Sequence, residues 1–169
     1  MKSINVYENF PLWTVIISNL GSIITCGIGF MIMYRIGLIF SILYLVYILI
    51  LEYRLIRYHC VNCSYWGKTC GFGKGLISSM FFKSGDITKF CIKDFSWKDM
   101  IPDLLITLIP VVTGIVLLII EFDSILLIGI LILISLTTVG NGYIRGHLTC
   151  KYCKQKELGC PAYSLFNKK

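Results

Sequence analysis

Between Leu12 and Tyr34 the chain carries no charged residue. A helix of that length, rising 1.5 Å per residue, crosses a hydrocarbon core of roughly 30 Å. Comparable apolar runs follow from Ile36 to Leu51, up to Ile120, and from Ile125 to Ile144. Of the 169 residues, 56% are hydrophobic and 15% charged, against roughly 45–50% and about 25% in a soluble domain. The runs therefore predict an all-α integral membrane protein with four transmembrane helices, at about 12–34, 36–58, 97–120 and 125–146. The first is expected to stay in the mature protein, because Met1–Phe10 carries Glu8 beside Lys2 and no small-x-small cleavage site follows the long apolar run.

Local signals set the ends. Asn9 is placed to cap the first helix, Pro11 suits its first turn, and Trp13 fits an interfacial belt. In the second helix, Arg54 and Arg57 have stems long enough to snorkel to headgroups. Ser96 and Asp99 have capping-box spacing for the third helix, which takes Pro102 early and Pro110 in its middle. Tyr34-Arg35 and Glu121–Ser124 are tight turns, so the spans form two hairpins. Ile87, Phe90, Cys91 and Phe95 recur at helical spacing and predict a short amphipathic helix on the membrane surface.

Two hairpins bring the N-terminus, the segment from Tyr58 to Asp99 and the C-terminal tail to one side. That side holds fifteen of the sixteen Lys and Arg residues, with only Arg35 opposite. By the positive-inside rule it is cytoplasmic, in the plasma membrane. The formal charge of +7 belongs to this bias, and nucleic acid is not an expected partner.

Seven of the eight cysteines lie outside the apolar runs. Six of them form Cys60-x2-Cys63-x6-Cys70 and Cys150-x2-Cys153-x6-Cys160, each directly after a hairpin. Pro11, Arg54 and Cys60 recur about 90 positions later as Pro102, Arg145 and Cys150. The chain thus reads as a parallel pseudo-repeat: residues 1–75 are a hairpin with its Cys loop, 76–99 an amphipathic interfacial linker, and 100–169 a second hairpin with its loop.

Permanent disulfides are rare in a reducing cytosol, which turns the cysteine reading toward metal. Cys-x-x-Cys lets two thiolates converge on one ion, and the third Cys closes the loop around it. Cys91 and His147 are candidate additional ligands, His147 because it precedes Cys150 by three positions on a helix. His59 is a poorer one, since its side chain diverges from that of Cys60. Zinc is the leading metal, with an iron–sulfur cluster as alternative. Gly159-Cys160-Pro161 resembles the Cys-Pro that closes the cysteine run of bacterial ferredoxins, although that run is spaced x2 and x3, not x6.

Other features point less sharply. Gly71–Gly75 lacks the Gly-Lys-Ser/Thr spacing of a phosphate loop. Ser18, Ser22 and Cys26 form a small-residue stripe suited to close helix approach. The spans carry no charge mid-membrane, against an ion path. The expected function is a non-enzymatic membrane module whose cytoplasmic Cys loops bind zinc and present a platform to a protein partner. The alternatives are an iron–sulfur electron relay or redox-complex anchor, and a metal carrier or thiol relay.

Overall fold

The computed structural model describes residues 6–92, 97–158, 160 and 163, and all regular structure among them is helical. Helix α1 spans Leu12–Tyr34, α2 Leu38–Tyr58, α3 Lys74–Phe81, α4 Ile87–Ile92, α5 Trp97–Ile120, α6 Ser124–Ser135 and α7 Asn141–Tyr143. Four helical spans are long and apolar enough to cross a membrane: Leu12–Tyr34, Leu38–Asn62, Ile101–Ile120 and Ser124–Tyr152. The protein is a helical membrane protein. Its chain divides into two compact units, a span unit of Gly21–Glu52 and Ser96–Asn141, and a loop unit of Met1–Leu20, Tyr53–Phe95 and Gly142–Lys169.

In the span unit most apolar side chains point outward, as lipid contact allows. Ile32, Leu126, Ile130 and Leu133 form a small buried core, flanked by Ile28, Val111, Leu117 and Leu118. Hydrocarbon gives no hydrophobic drive to this association, so close packing and interhelical hydrogen bonds carry it. Pro110 lies inside α5 and has no N–H for the carbonyl of Ile106 four residues earlier. The buried Tyr44 hydroxyl of α2 donates to that carbonyl at 2.9 Å. Gly29 of α1 makes room for the tyrosine, since a Cβ there would lie 2.8 Å from Tyr44 Cζ. Tyr47 makes a second such bond, donating to the carbonyl of Pro102 at 2.7 Å. The two tight turns are joined by an Arg35–Asp123 ion pair of 2.9 Å. Asp123 also caps α6, accepting the N–H groups of Ile125 and Leu126, and those bonds hold its carboxyl below its ordinary range.

Several local expectations change. Asn9 does not cap α1; its side-chain oxygen accepts the N–H of Thr69 instead. The surface segment splits into α3 and α4 around Phe82–Asp86. The exposed apolar side chains of α3 are Leu76, Ile77, Met80 and Phe81. Ser96 lies outside the described residues, as does the side chain of Cys91, whose backbone belongs to α4.

The fourth span also continues past its expected end. Beyond α6 it loosens into π-helical turns at Leu136–Gly140 and Ile144–Thr149 on either side of α7. Gly140, Gly142 and Gly146 favour no single winding here, and threonine hydroxyls take carbonyls that a tight α-turn would use. Thr137 and Thr138 donate to Leu133 and Ile134 at 2.8 and 2.7 Å.

Candidate functional site

The candidate residues gather in the loop unit, where the second and fourth apolar spans each end in a Cys turn. Cys60–Asn62 and Cys150–Tyr152 are single 3-10 turns. The residue entering the first, His59, has φ −110° and ψ −52°, and its counterpart Thr149 has φ −113° and ψ −63°. Cys63 leaves at φ −85°, ψ 146°, and Cys153 at φ −78°, ψ 131°. In both turns the N–H of the second Cys donates to the carbonyl of the first at 3.3 Å. Two sequences that share only their cysteines therefore adopt one backbone shape.

The likeness extends to the sulfurs. The N–H of Tyr65 donates to the sulfur of Cys63, and the N–H of Gln155 to that of Cys153. Backbone N–H groups aimed at sulfur hold the thiolate form and orient it, which is what outer-shell partners do in metal–thiolate centres. Burial nevertheless pushes the Cys63 thiol up, with Cys70 and Cys160 adding to the rise. Cys153 is pushed up to about 12, chiefly by burial and further by Cys63, Cys160 and Cys150. Without a cation among them these thiols hold their protons at neutral pH.

Those electrostatic effects reach from one loop to the other because the loops dock. The Gln155 side-chain oxygen, on a residue only 1% exposed, accepts the N–H of Ser64 at 3.0 Å and its hydroxyl at 2.7 Å. The Cys63 thiol approaches the same oxygen at 3.8 Å. In the other direction, the Tyr65 hydroxyl accepts the N–H of Lys154 at 3.0 Å. Tyr65 is itself buried and donates to the carbonyl of Tyr7. Gly71 touches the entry to the second turn so closely that a Cβ would meet Thr149 Cγ2 at 2.6 Å.

The N-terminal segment straps both loops. Tyr7 donates its N–H to the carbonyl of Tyr152 at 3.1 Å, and Phe10 donates to the carbonyl of Thr69 at 2.9 Å. The rings of Tyr7, Phe10, Tyr65 and Tyr152 pack as a chain with centroids 5.1 to 5.6 Å apart. Glu8 lies between Lys68 and Lys154, 3.8 and 3.9 Å away. Tyr7, Tyr65 and Gln155 are the docking residues that sequence reasoning missed. The available signal was the position two residues after each Cys-x-x-Cys, but tyrosine and glutamine there do not look alike.

Of the expected ligands, Cys60, Cys63, Cys70, Cys150, Cys153 and Cys160 are all half-buried in this unit and none is in a disulfide. His147 is exposed, its ring stacked against Tyr143 at 5.2 Å. It belongs to a π-helical segment, where an offset of three residues falls well short of one turn. His59 meets the Phe90 ring edge-on at 6.3 Å. Cys26 is half-buried within α1. Among the described residues, no group of three or more His, Cys, Asp or Glu side chains is arranged to hold a metal ion. Compared with known protein families, curated proteins and solved structures, the chain matches none.

Proposed function

We propose that this protein is a small multi-pass membrane module whose two Cys loops bind zinc and form a rigid platform for a protein partner at the cytoplasmic face. One observation carries the reading: two Cys-x-x-Cys turns of matching backbone geometry, each with an N–H directed at its second sulfur, dock on one another. A structural thiolate site needs four soft ligands on a pre-shaped backbone, and zinc favours such a set with no redox demand. The role is non-enzymatic, the metal ordering the loops for recognition.

The matching turns also support descent of the two halves from one hairpin-plus-loop unit, arranged as a parallel repeat. The excess of Lys and Arg flanking the loops supports a cytoplasmic orientation for both loops and both termini. There glutathione keeps thiols reduced and available to metal.

The test is metal analysis of the full chain, purified in detergent without oxygen. Bound zinc in a colourless protein is the expected result. Iron with matching acid-labile sulfide and broad visible absorption would replace the platform with an electron relay. Titratable thiols without any metal, even after incubation with zinc, would overturn metal binding altogether.

A further inference from the structure

Helix α3 has two unlike sides. Gly75 and Ser78 are buried, and a Cβ on Gly75 would collide with the carbonyl oxygens of Tyr65 and Lys68 in the first Cys loop. The opposite side presents Leu76, Ile77, Met80 and Phe81, of which Met80 and Phe81 are 79% and 74% exposed. At 3.6 residues per turn these four side chains fall within one arc of about 140°. The loop unit therefore seats the helix by its back and turns an apolar stripe away from itself.

Both ends of α3 are tied to the outer turns of apolar spans. Ahead of the helix, the carbonyl of Phe72 accepts the side-chain amide of Asn19 at 3.2 Å. Gly73 lies so close to α1 that a Cβ there would meet Val15 Cγ1 at 3.1 Å. Asn19 stands seven residues inside α1, which begins at Leu12, and so about 10 Å along its axis. Behind the helix, the Phe82 ring meets the Tyr53 ring of α2 at 5.9 Å and lies under the Arg57 guanidinium at 5.2 Å. Tyr53 is itself five residues short of the end of α2 at Tyr58. An element held at both ends inside the outer turns of two spans lies at the headgroup–acyl boundary, where interfacial helices bury an apolar face by about 5–10 Å.

The charge around the stripe selects its occupant. Between Tyr53 and Gly85 the charged residues are Arg54, Arg57, Lys68, Lys74 and Lys83, and none is acidic. Lys68 lies 3.8 Å from Glu8, whereas Arg57 and Lys83 are exposed beside the C-terminal end of α3. An apolar stripe edged by cations matches a leaflet whose acyl chains lie under anionic headgroups. We infer that α3 is embedded in the bilayer interface, with Leu76, Ile77, Met80 and Phe81 among acyl chains and Arg57 and Lys83 on the phosphates of anionic phospholipids. This binding does not depend on zinc. Because α3 is seated on the first Cys loop, it fixes how far that loop stands from the membrane.

The experiment introduces a photoreactive side chain, Met80→p-benzoylphenylalanine, into the full chain reconstituted in vesicles of phosphatidylcholine and phosphatidylserine in equal amounts. After irradiation the adducts are identified by mass, with helical content by circular dichroism as the folding control. Lipid adducts richer in phosphatidylserine than in phosphatidylcholine are the expected result. Arg57→Gln combined with Lys83→Gln should lower that enrichment about fivefold or more, the weight of a cation near an anionic surface. Lys83→Gln alone should shift it the same way, which keeps the test decisive if the Arg57 variant misfolds. Adducts without enrichment, or enrichment unchanged by these substitutions, would overturn the headgroup contacts. The same probe at Ile16, an exposed apolar residue of α1, is the reference for lipid contact. Lipid adducts at position 16 but none at 80 would overturn insertion of α3. Crosslinks from position 80 to a second copy of the chain would also overturn it, and would assign the stripe to self-association.

Discussion

The span unit and the loop unit spend their polar groups differently. In the span unit, side-chain hydrogen bonds run to helix carbonyls: Tyr44 to Ile106, Tyr47 to Pro102, Thr137 to Leu133. The first supplies a donor that Pro110 lacks, and the others add to a helical backbone that already satisfies itself, as hydrocarbon surroundings demand. In the loop unit the bonds join segments far apart in sequence, with Gln155 reaching Ser64, Tyr65 reaching Lys154, and Tyr7 reaching Tyr152. Lipid fixes the first unit through general rules of length and polarity. Particular residues fix the second, and small changes in it carry specific consequences.

Gly71→Ala sharpens that contrast most. Its new Cβ would meet Thr149, a buried β-branched residue with little freedom to move. The expected cost is about 1–3 kcal/mol, the range for overpacking a well-filled site. Read by hydrogen exchange, it should fall on the loop unit and leave α5 and α6 protected. Equal loss in both units would erase the distinction between them.

Tyr44→Phe makes the converse cut, with a smaller effect. It strips the Ile106 carbonyl of its side-chain donor beside Pro110 and is expected to cost about 1 kcal/mol, the scale of interhelical hydrogen bonds in membranes. Thermal stability of the detergent-solubilised protein should fall slightly while zinc affinity stays the same. A change in zinc affinity of tenfold or more would show that the span unit governs the loops.

The same contrast explains what was legible in the chain. The four spans could be read because charge-free runs answer to one constraint, the thickness of the bilayer. Leu12 and Ile120 bound their helices where the sequence places them. The Cys turns were legible as motifs because six cysteines repeat at fixed intervals. Winding was not, since nothing between Leu136 and Thr149 distinguishes an α-helix from the π-helical turns found there. That winding puts the offset between His147 and Cys150 out of step with a helical turn. The docking residues were hidden for a different reason. Tyr65 and Gln155 follow their Cys-x-x-Cys pairs at the same offset but with unlike side chains, one offering a hydroxyl and the other an amide oxygen, so their matching contacts are visible only in space. Asn9 shows a third kind of limit, a plausible helix cap drawn instead to the N–H of Thr69 sixty positions away.

The most direct test of the account is hydrogen exchange on the zinc-loaded protein before and after chelation under reducing conditions. Binding energy at a structural zinc site is also the energy that orders its loops. The account predicts that amides of Cys60–Cys70 and of 150–158 lose protection together, while those of α2, α5 and α6 keep theirs. Unchanged protection at both loops, or loss confined to one of them, would contradict it.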